Sequence, residues 1–432
     1  METSILDNID LAARLNGDTS SEWEVIRRDA LKTFEEQGFP TRKDEDWRYL
    51  NFISLMKEPF QDPIETDLAS VEEWKMKGVE TNLIVFVNGI YSEKHSKIID
   101  EENGLVIGQF KKAKVFSQNL VSKYFGQGVH TNRNGFVSLN TALAEDGLFV
   151  HVPEGMSVKN PIEVLHISTN AKEERTMQHL RQMIIVEKGA DVKVFETYVN
   201  ESDSDKTLIN IVNEFVVDEN ANLEYYKIQN ENEQAVQINQ TEVQQARDSV
   251  FFSTILTTGG ALVRNDLNSR VNASNCETHF NGLYLGENKS VIDNHTIVDH
   301  KFPHTYSNEL YKGVLTDKAQ GIFNGRIFVR EDAQKTNAYQ TNRNILLTED
   351  ASVNTKPQLE IWADDVRCSH GATTGQLDKN AVFYLQSRGI DKAEARRLLL
   401  KAFTQEVVDT IKVPEIAAHF EEIVTNKLQS RA

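Results

Sequence analysis

"VDENANLEY", residues 217–225, holds an apolar entry, a run of turn-forming polar residues, one small residue at Ala221, and then an alternating strand. The same pattern returns in "VEKGADVKV" around Ala190, "VNASNCETH" around Ala273, "LTDKAQGIF" around Ala319, "VREDAQKTN" around Ala333 and "LTEDASVNT" around Ala351. Short apolar runs punctuated by polar turns, with almost no helical period, read as strands. The intervals between these turns cluster loosely around multiples of about 15 residues, a spacing that suits the rungs of a solenoid. Asparagine in the turns tolerates left-handed backbone angles. Stacked β-rungs are therefore the leading architecture, and a β-sandwich with regular hairpins is the alternative that the uneven spacing leaves open.

Helical material flanks this region on both sides. Upstream, "SEWEVIRRDALKTFEEQGFP" from Ser21 sets Trp23, Ile26, Ala30, Leu31 and Phe34 at helical spacing, and Gly38 with Pro40 supplies the stop. The charged run "TRKDEDWRYLNF" follows as an ordered surface segment, and "LIVFVNGIYSEK" (residues 83–94) reads as a hairpin around Asn88 and Gly89. Downstream, a helix ends at Gly389. Asp391 opens a second one, with Glu394 in a capping-box arrangement, and Pro414 precedes a third. The expected fold is mainly β with helical ends. A parallel β-helix (β-solenoid) core spans residues 149–378, between an N-terminal mixed α/β region at 1–148 and a C-terminal helical domain at 379–432. A helical module of that kind either caps the β core or offers a face to a partner.

Composition narrows the function. The 432-residue chain carries a formal net charge of -18, and no basic patch offsets that field, so nucleic acid is not an expected partner. No run reaches the roughly 18 apolar residues of a membrane span. The opening "METSILDNIDLAARL" shows early acidic residues and no apolar h-region, which predicts no secretory signal. Two cysteines, Cys276 and Cys368, cannot build a disulfide framework, and a cytoplasmic location is the expectation.

Several catalytic signatures are missing. The sequence has no Gly-x4-Gly-Lys-Ser/Thr loop, Cys-x-x-Cys, His-Glu-x-x-His or Gly-x-Ser-x-Gly. Two constellations remain. "DNHTIVDHKFPHTYSNELYKG" gathers His295, His300 and His304 near Asp293 and Asp299, although on one strand the five-residue step from His295 to His300 points them to opposite faces. In "LEIWADDVRCSHGATTG", Cys368 and His370 stand two apart. On a strand they leave the same face together with Trp362, Asp364 and Val366, so that a thiolate and an imidazole address one ion. A buried cysteine beside a hydrogen-bonded histidine is the structural alternative.

The run "PQLEIWADDVRCSHGATTGQLDKNAVFYLQSRGI", with "DNHTIVDHKFPHTYSNELYKGVL", "NGRIFVREDAQKTNAYQTNRNILLTEDASVNTKPQLEI" and "GFPTRKDEDWRYLNF", resembles the SufB/SufD family of the SUF iron–sulfur cluster assembly system. The resemblance covers essentially the whole chain, and "HGAT" at residues 370–373 favours its D-type branch. It implies a β-helix core, a non-enzymatic scaffold role, and a complex with SufB and the ATPase SufC. It also implies that the C-terminal helices dock SufC and that His370, with Cys368 held more loosely, meets a nascent Fe–S cluster at the SufB interface. Pairing of the isolated chain with a second copy through that surface is the competing arrangement. An Fe–S cluster needs about four ligands, mostly thiolates, so Cys368 and His370 leave the sphere unfilled and a partner has to complete it. Without a P-loop the chain binds no nucleotide, and ATP hydrolysis belongs to another subunit. From the enzyme class, a β-helix polysaccharide lyase or esterase using Asp364 and Asp365 beside Arg367 is the alternative. A purely structural partner that only shapes SufB's cavity is the third.

Overall fold

The computed structural model describes residues 22–50, 52, 59–100, 104–144, 146–169 and 175–429; residues 1–15, read above for a signal, lie outside them. Successive strands alternate between a ten-stranded and a nine-stranded sheet, so each coil contributes one strand to each. Antiparallel pairing is confined to the N-terminal edge, where Asn82–Val87 meets Ile90–Tyr91 and Val106–Gln109 meets Leu148–Val152. From there the register is parallel through to Ser352–Ile361 in one sheet and Arg367–Gly375 in the other. The result is a parallel β-solenoid of about 7 turns with helical segments before and after it in the chain, not a sandwich.

What locks this register is the turn on one edge of the solenoid. Gly189, Asn220, Asp248, Asn275, His304 and Lys335 each adopt a positive φ. The residue that follows each of them, Ala190, Ala221, Ser249, Cys276, Thr305 or Thr336, is small and buried. Its carbonyl accepts, at 2.9 Å in every case, the amide that opens the next coil's strand: Asn222, Val250, Glu277, Tyr306, Asn337 and Arg367. The turn thus satisfies its own buried backbone and fixes the stacking at once. A second stack, including Ala235, Ala261, Ser290, Ala319 and Ala351, runs along the opposite edge. The recurring alanines of the sequence therefore belong to two stacks. In two of the turns, Cys276 and Thr336 rather than Ala273 and Ala333 occupy the repeating position, which explains the uneven spacing.

Flanking segments cover the outer faces of both sheets. Helix α1 (Glu22–Gln37) ends at Gly38, whose φ of 65° and amide bond to the Phe34 carbonyl stop the helix as expected. The short helices α2 (Phe110–Phe116) and α3 (Gln118–Tyr124) precede α4 (Gly135–Leu143). Ala30 and Phe34 of α1, Phe136 and Leu139 of α4, and Trp47 pack on the nine-stranded sheet. On the other side, α5 (Lys379–Ser387) leads to α6 (Lys392–Val408) and α7 (Pro414–Gln429). Leu400 and Val407 of α6, with Ile416, Phe420 and Val424 of α7, bury against the ten-stranded sheet. Each such side chain contributes about 1.5–3 kcal/mol, and in folded proteins most helical stability comes from packing of this kind rather than from propensity. Tertiary burial therefore holds these helices. Only half of the expected capping box forms: Asp391 accepts from the Glu394 amide at 3.0 Å, but the Glu394 carboxylate turns to Arg397. The nearby guanidinium outcompetes a backbone amide for that charge.

Arg264 pins the N-terminal segment to the solenoid. Its buried guanidinium pairs with Asp266 (2.7 Å) and Asp293 (2.8 Å), donates to the Asp46 carbonyl, and lies 4.0 Å from the Trp47 ring. Replacing it by alanine would leave two buried carboxylates without their cation, a loss of about 3–5 kcal/mol. The expected outcome for Arg264→Ala is a large drop in the urea midpoint together with exposure of Trp47 in fluorescence.

Candidate functional site

The solenoid ends without a cap. Ser352–Ile361 and Arg367–Gly375 close their sheets, each pairing on one side only. Register carries the interior face into this last coil: Ala338 stands opposite Cys368, Gln340 opposite His370, Asn342 opposite Ala372 and Asn344 opposite Thr374. The first member of each pair is buried. The second has the same inward position but no coil above it, and His370, Ala372 and Thr374 are exposed. Cys368 and His370 therefore share one face, as the sequence spacing predicts. Trp362, Asp364 and Val366 do not share that strand, because residues 362–366 form the turn before it. The Asp365 amide donates to Gln334 Oε1 (2.9 Å), and the Lys335 amide to the Asp365 carbonyl (2.6 Å). With Lys335 also paired to its carboxylate, Asp365 is a turn fixture.

The Cys368 sulfur sits half-buried in an apolar cluster with Ile327, Val329, Ala338 and Ala363. Burial pushes its thiol up from the ordinary range, so a metal would have to displace a proton to bind it. Among the described residues, no three of His, Cys, Asp and Glu gather to hold a metal ion.

The histidine cluster does not assemble. His295 faces outward onto Asp293 at 2.9 Å. His300 points into the solenoid, between Thr305 (2.8 Å) and Ser307 (2.9 Å), and burial pushes its pKa down to about 4. His304 forms a left-handed turn. Cys276 is a small residue of the turn stack, its thiol donating to the Ala246 carbonyl at 3.0 Å.

One interior column leads to His370. In register it runs from Val194 through Tyr225, Ser253 and Phe280 to Glu309, Gln340 and finally His370. A carboxylic acid enters this column only near the open end. Glu309 is fully enclosed, accepting from Thr296 Oγ1 (2.6 Å) and Gln340 Nε2 (3.1 Å), and burial pushes its pKa up to about 7. Sequence reasoning missed Glu309 and Gln340. Alternation marks both as one face of a strand, but only the register aligns them with His370.

The fold is thus a mainly β solenoid with an open terminal coil and a cysteine–histidine pair on its unfinished face. Sequence comparison then gives the family. The SUF system FeS cluster assembly, SufBD core domain matches residues 166–403, and the SufBD protein N-terminal region matches residues 10–164. Similar proteins include an iron–sulfur cluster assembly SufBD family protein of Synechocystis, 30% identical over 89% of this chain and 87% of its own length. The chloroplastic protein ABCI7 of Arabidopsis thaliana is 31% identical over 90% of this chain and 83% of its own. The iron-sulfur cluster assembly protein SufD of Escherichia coli is 29% identical over 87% and 86%. The chain belongs to the SufBD family of iron–sulfur cluster assembly proteins.

The buried acid in the column makes a testable contribution to pH dependence. A carboxyl raised in the folded state ionises first in the unfolded chain, so the stability it contributes is lost as pH climbs from about 4.5 to about 7. Urea midpoints compared with Glu309→Gln across pH are expected to show the wild type losing ground over that window and holding level above it. Parallel profiles would mean that Glu309 ionises as freely folded as unfolded.

Proposed function

We propose that the chain is a non-enzymatic scaffold subunit that works with SufB and the ATPase SufC to build a nascent Fe–S cluster, held transiently and shared between subunits. The observation that carries this reading is the unfinished coil: Cys368 and His370 occupy inward positions with nothing above them. A cluster takes about four ligands, with histidine accepted on iron in place of thiolate. This end offers two at most, so SufB has to supply the rest from a surface laid across it. His370 is the first candidate because it is exposed. Cys368 is the second, since its thiol is half-buried and held protonated by its apolar surroundings.

SufC meets the other face of the C-terminal module. Helices α6 and α7 bury one side on the solenoid, whereas Phe383 and Tyr384 of α5 remain 72% and 57% exposed. Large aromatics left in water on a helix suit a docking surface. With no nucleotide loop in this chain, SufC turnover drives any rearrangement of these helices. The same reading places the work in the cytoplasm, where two unpaired cysteines stay reduced. In the absence of SufB, two copies meet through the same open ends. Among the described residues no helix is long and apolar enough to cross a membrane.

The test is His370→Ala in the chain co-expressed with its SUF neighbours. The variant is expected to co-purify normally, because an exposed ring contributes little to folding, while anaerobic cluster build-up falls at least tenfold. Cluster formation at the wild-type rate would remove His370 from the ligand set.

A further inference from the structure

We propose that Gln340 is a positioning residue for His370: its buried amide oxygen accepts the imidazole N–H, so that the other ring nitrogen is presented outward. The purpose of that orientation rests on the reading of His370 as an iron ligand; its geometry does not. Gln340 and His370 are direct partners in the parallel register, which sets neighbouring strands about 4.8 Å apart. Gln340 Nε2 donates downward to Glu309 Oε2 at 3.1 Å. This fixes which end of the amide faces the carboxylate and leaves Oε1 as the acceptor for a group elsewhere. Gln340 Oε1 is buried and has no hydrogen-bond partner among the described residues.

The amide is also held sideways. A methyl group at Gly325, across the solenoid interior, would stand 2.2 Å from Gln340 Nε2, so the absence of a side chain there is what lets the amide lie where it does. A buried carbonyl without a donor is costly to keep, and the next polar side chain up the column belongs to His370. Histidines that bind metals almost always donate their second ring N–H to such an oxygen, which fixes tautomer and orientation. The ring is exposed and not yet bonded in the free chain's structure. A surface laid across the open end presses it toward Gln340 and removes competing water.

The column also explains Glu309. Without a group below it, a glutamine amide turns over freely and offers either a donor or an acceptor upward. With the carboxylate accepting from Nε2, and Thr296 holding that carboxylate in turn, only the oxygen faces His370. Two buried residues thus set the polarity of a third one at the surface, at a site where the ring would otherwise choose its own tautomer.

The test reads the imidazole directly, in the full chain labelled with 15N-histidine and assembled with its unlabelled SUF neighbours, which cover the open end, with His370→Ala assigning the resonances. Above neutral pH, long-range 1H–15N spectra of the wild type are expected to show two well-separated His370 nitrogen shifts, those of one tautomer. Gln340→Met, which keeps the shape and removes the acceptor, is expected to move both toward the averaged values of a free imidazole. Glu309→Leu, which releases the amide to turn over, is expected to do the same and serves if the methionine variant does not fold. Unchanged His370 shifts in a folded Gln340→Met chain overturn the proposal. Cluster build-up with the SUF neighbours separates the two readings. If His370→Ala abolishes it while Gln340→Met alters neither tautomer nor rate, the ligand role stands and the positioning role falls. If the tautomer responds to Gln340→Met but His370→Ala builds clusters normally, the orientation stands and the ligand role falls. Where both hold, Gln340→Met slows build-up several-fold, less than His370→Ala.

Discussion

The structure depends on one repeated constraint: a left-handed residue followed by a small buried one, whose carbonyl receives the first amide of the next coil's strand. Because the six bonds of this kind share one length, 2.9 Å, successive coils cannot slip against each other. A parallel stack in fixed register is a set of columns, and every interior side chain sits directly above its counterpart one coil earlier. The turn thus does more than reverse the chain. It decides which residues become neighbours across some 30 positions of sequence, as in the contact between Gln340 and Glu309 with its sequence separation of 31.

Stacking of this kind needs an end, and the two ends are finished differently. At the N-terminal side each sheet finishes in an antiparallel pair: the short hairpin of Asn82–Val87 with Ile90–Tyr91 in one, and Val106–Gln109 against Leu148–Val152 in the other. At the C-terminal side both sheets stop at a strand with an unpaired edge, and the interior columns simply run out into solvent. Pro357 in Ser352–Ile361 leaves the nine-stranded sheet one amide donor short at that edge. Arg367–Gly375, which carries Cys368 and His370, has no proline and keeps all of its donors. The strand that carries Cys368 and His370 is therefore the one better able to accept another strand beside it. Under the proposed function, an unfinished coil with too few soft ligands is a half-site.

Much of this was legible in the sequence and some was not, for physical reasons. Turn chemistry is local, so the strand-and-turn grammar, the Asn88–Gly89 hairpin with φ of 53° and 77°, and the stop of α1 at Gly38 could be read from adjacent residues. Period-two alternation separates the faces of one strand, and it correctly put His295 and His300 on opposite sides and Cys368 with His370 on one. It says nothing about which coil is last, or which residues of different coils share a column. Gln340 and Glu309 are invisible on those terms. The alanine pattern merged two turn stacks because either edge of the solenoid needs a small residue, and Cys276 was hidden because it replaces alanine by size rather than by chemistry. Trp362 and Asp364 were placed on the wrong element because their alternation continues across a turn that Lys335 and Gln334 of the preceding coil hold in place.

If the open end is a half-site, the isolated chain should be unable to keep what the assembled complex can. The most direct measurement is the iron and sulfide content of the purified chain after anaerobic reconstitution and desalting, compared with that of the same chain co-purified with its SUF neighbours. The account predicts far less than one cluster per isolated chain and a defined stoichiometry in the complex. A stable, stoichiometric cluster on the isolated monomer would contradict it.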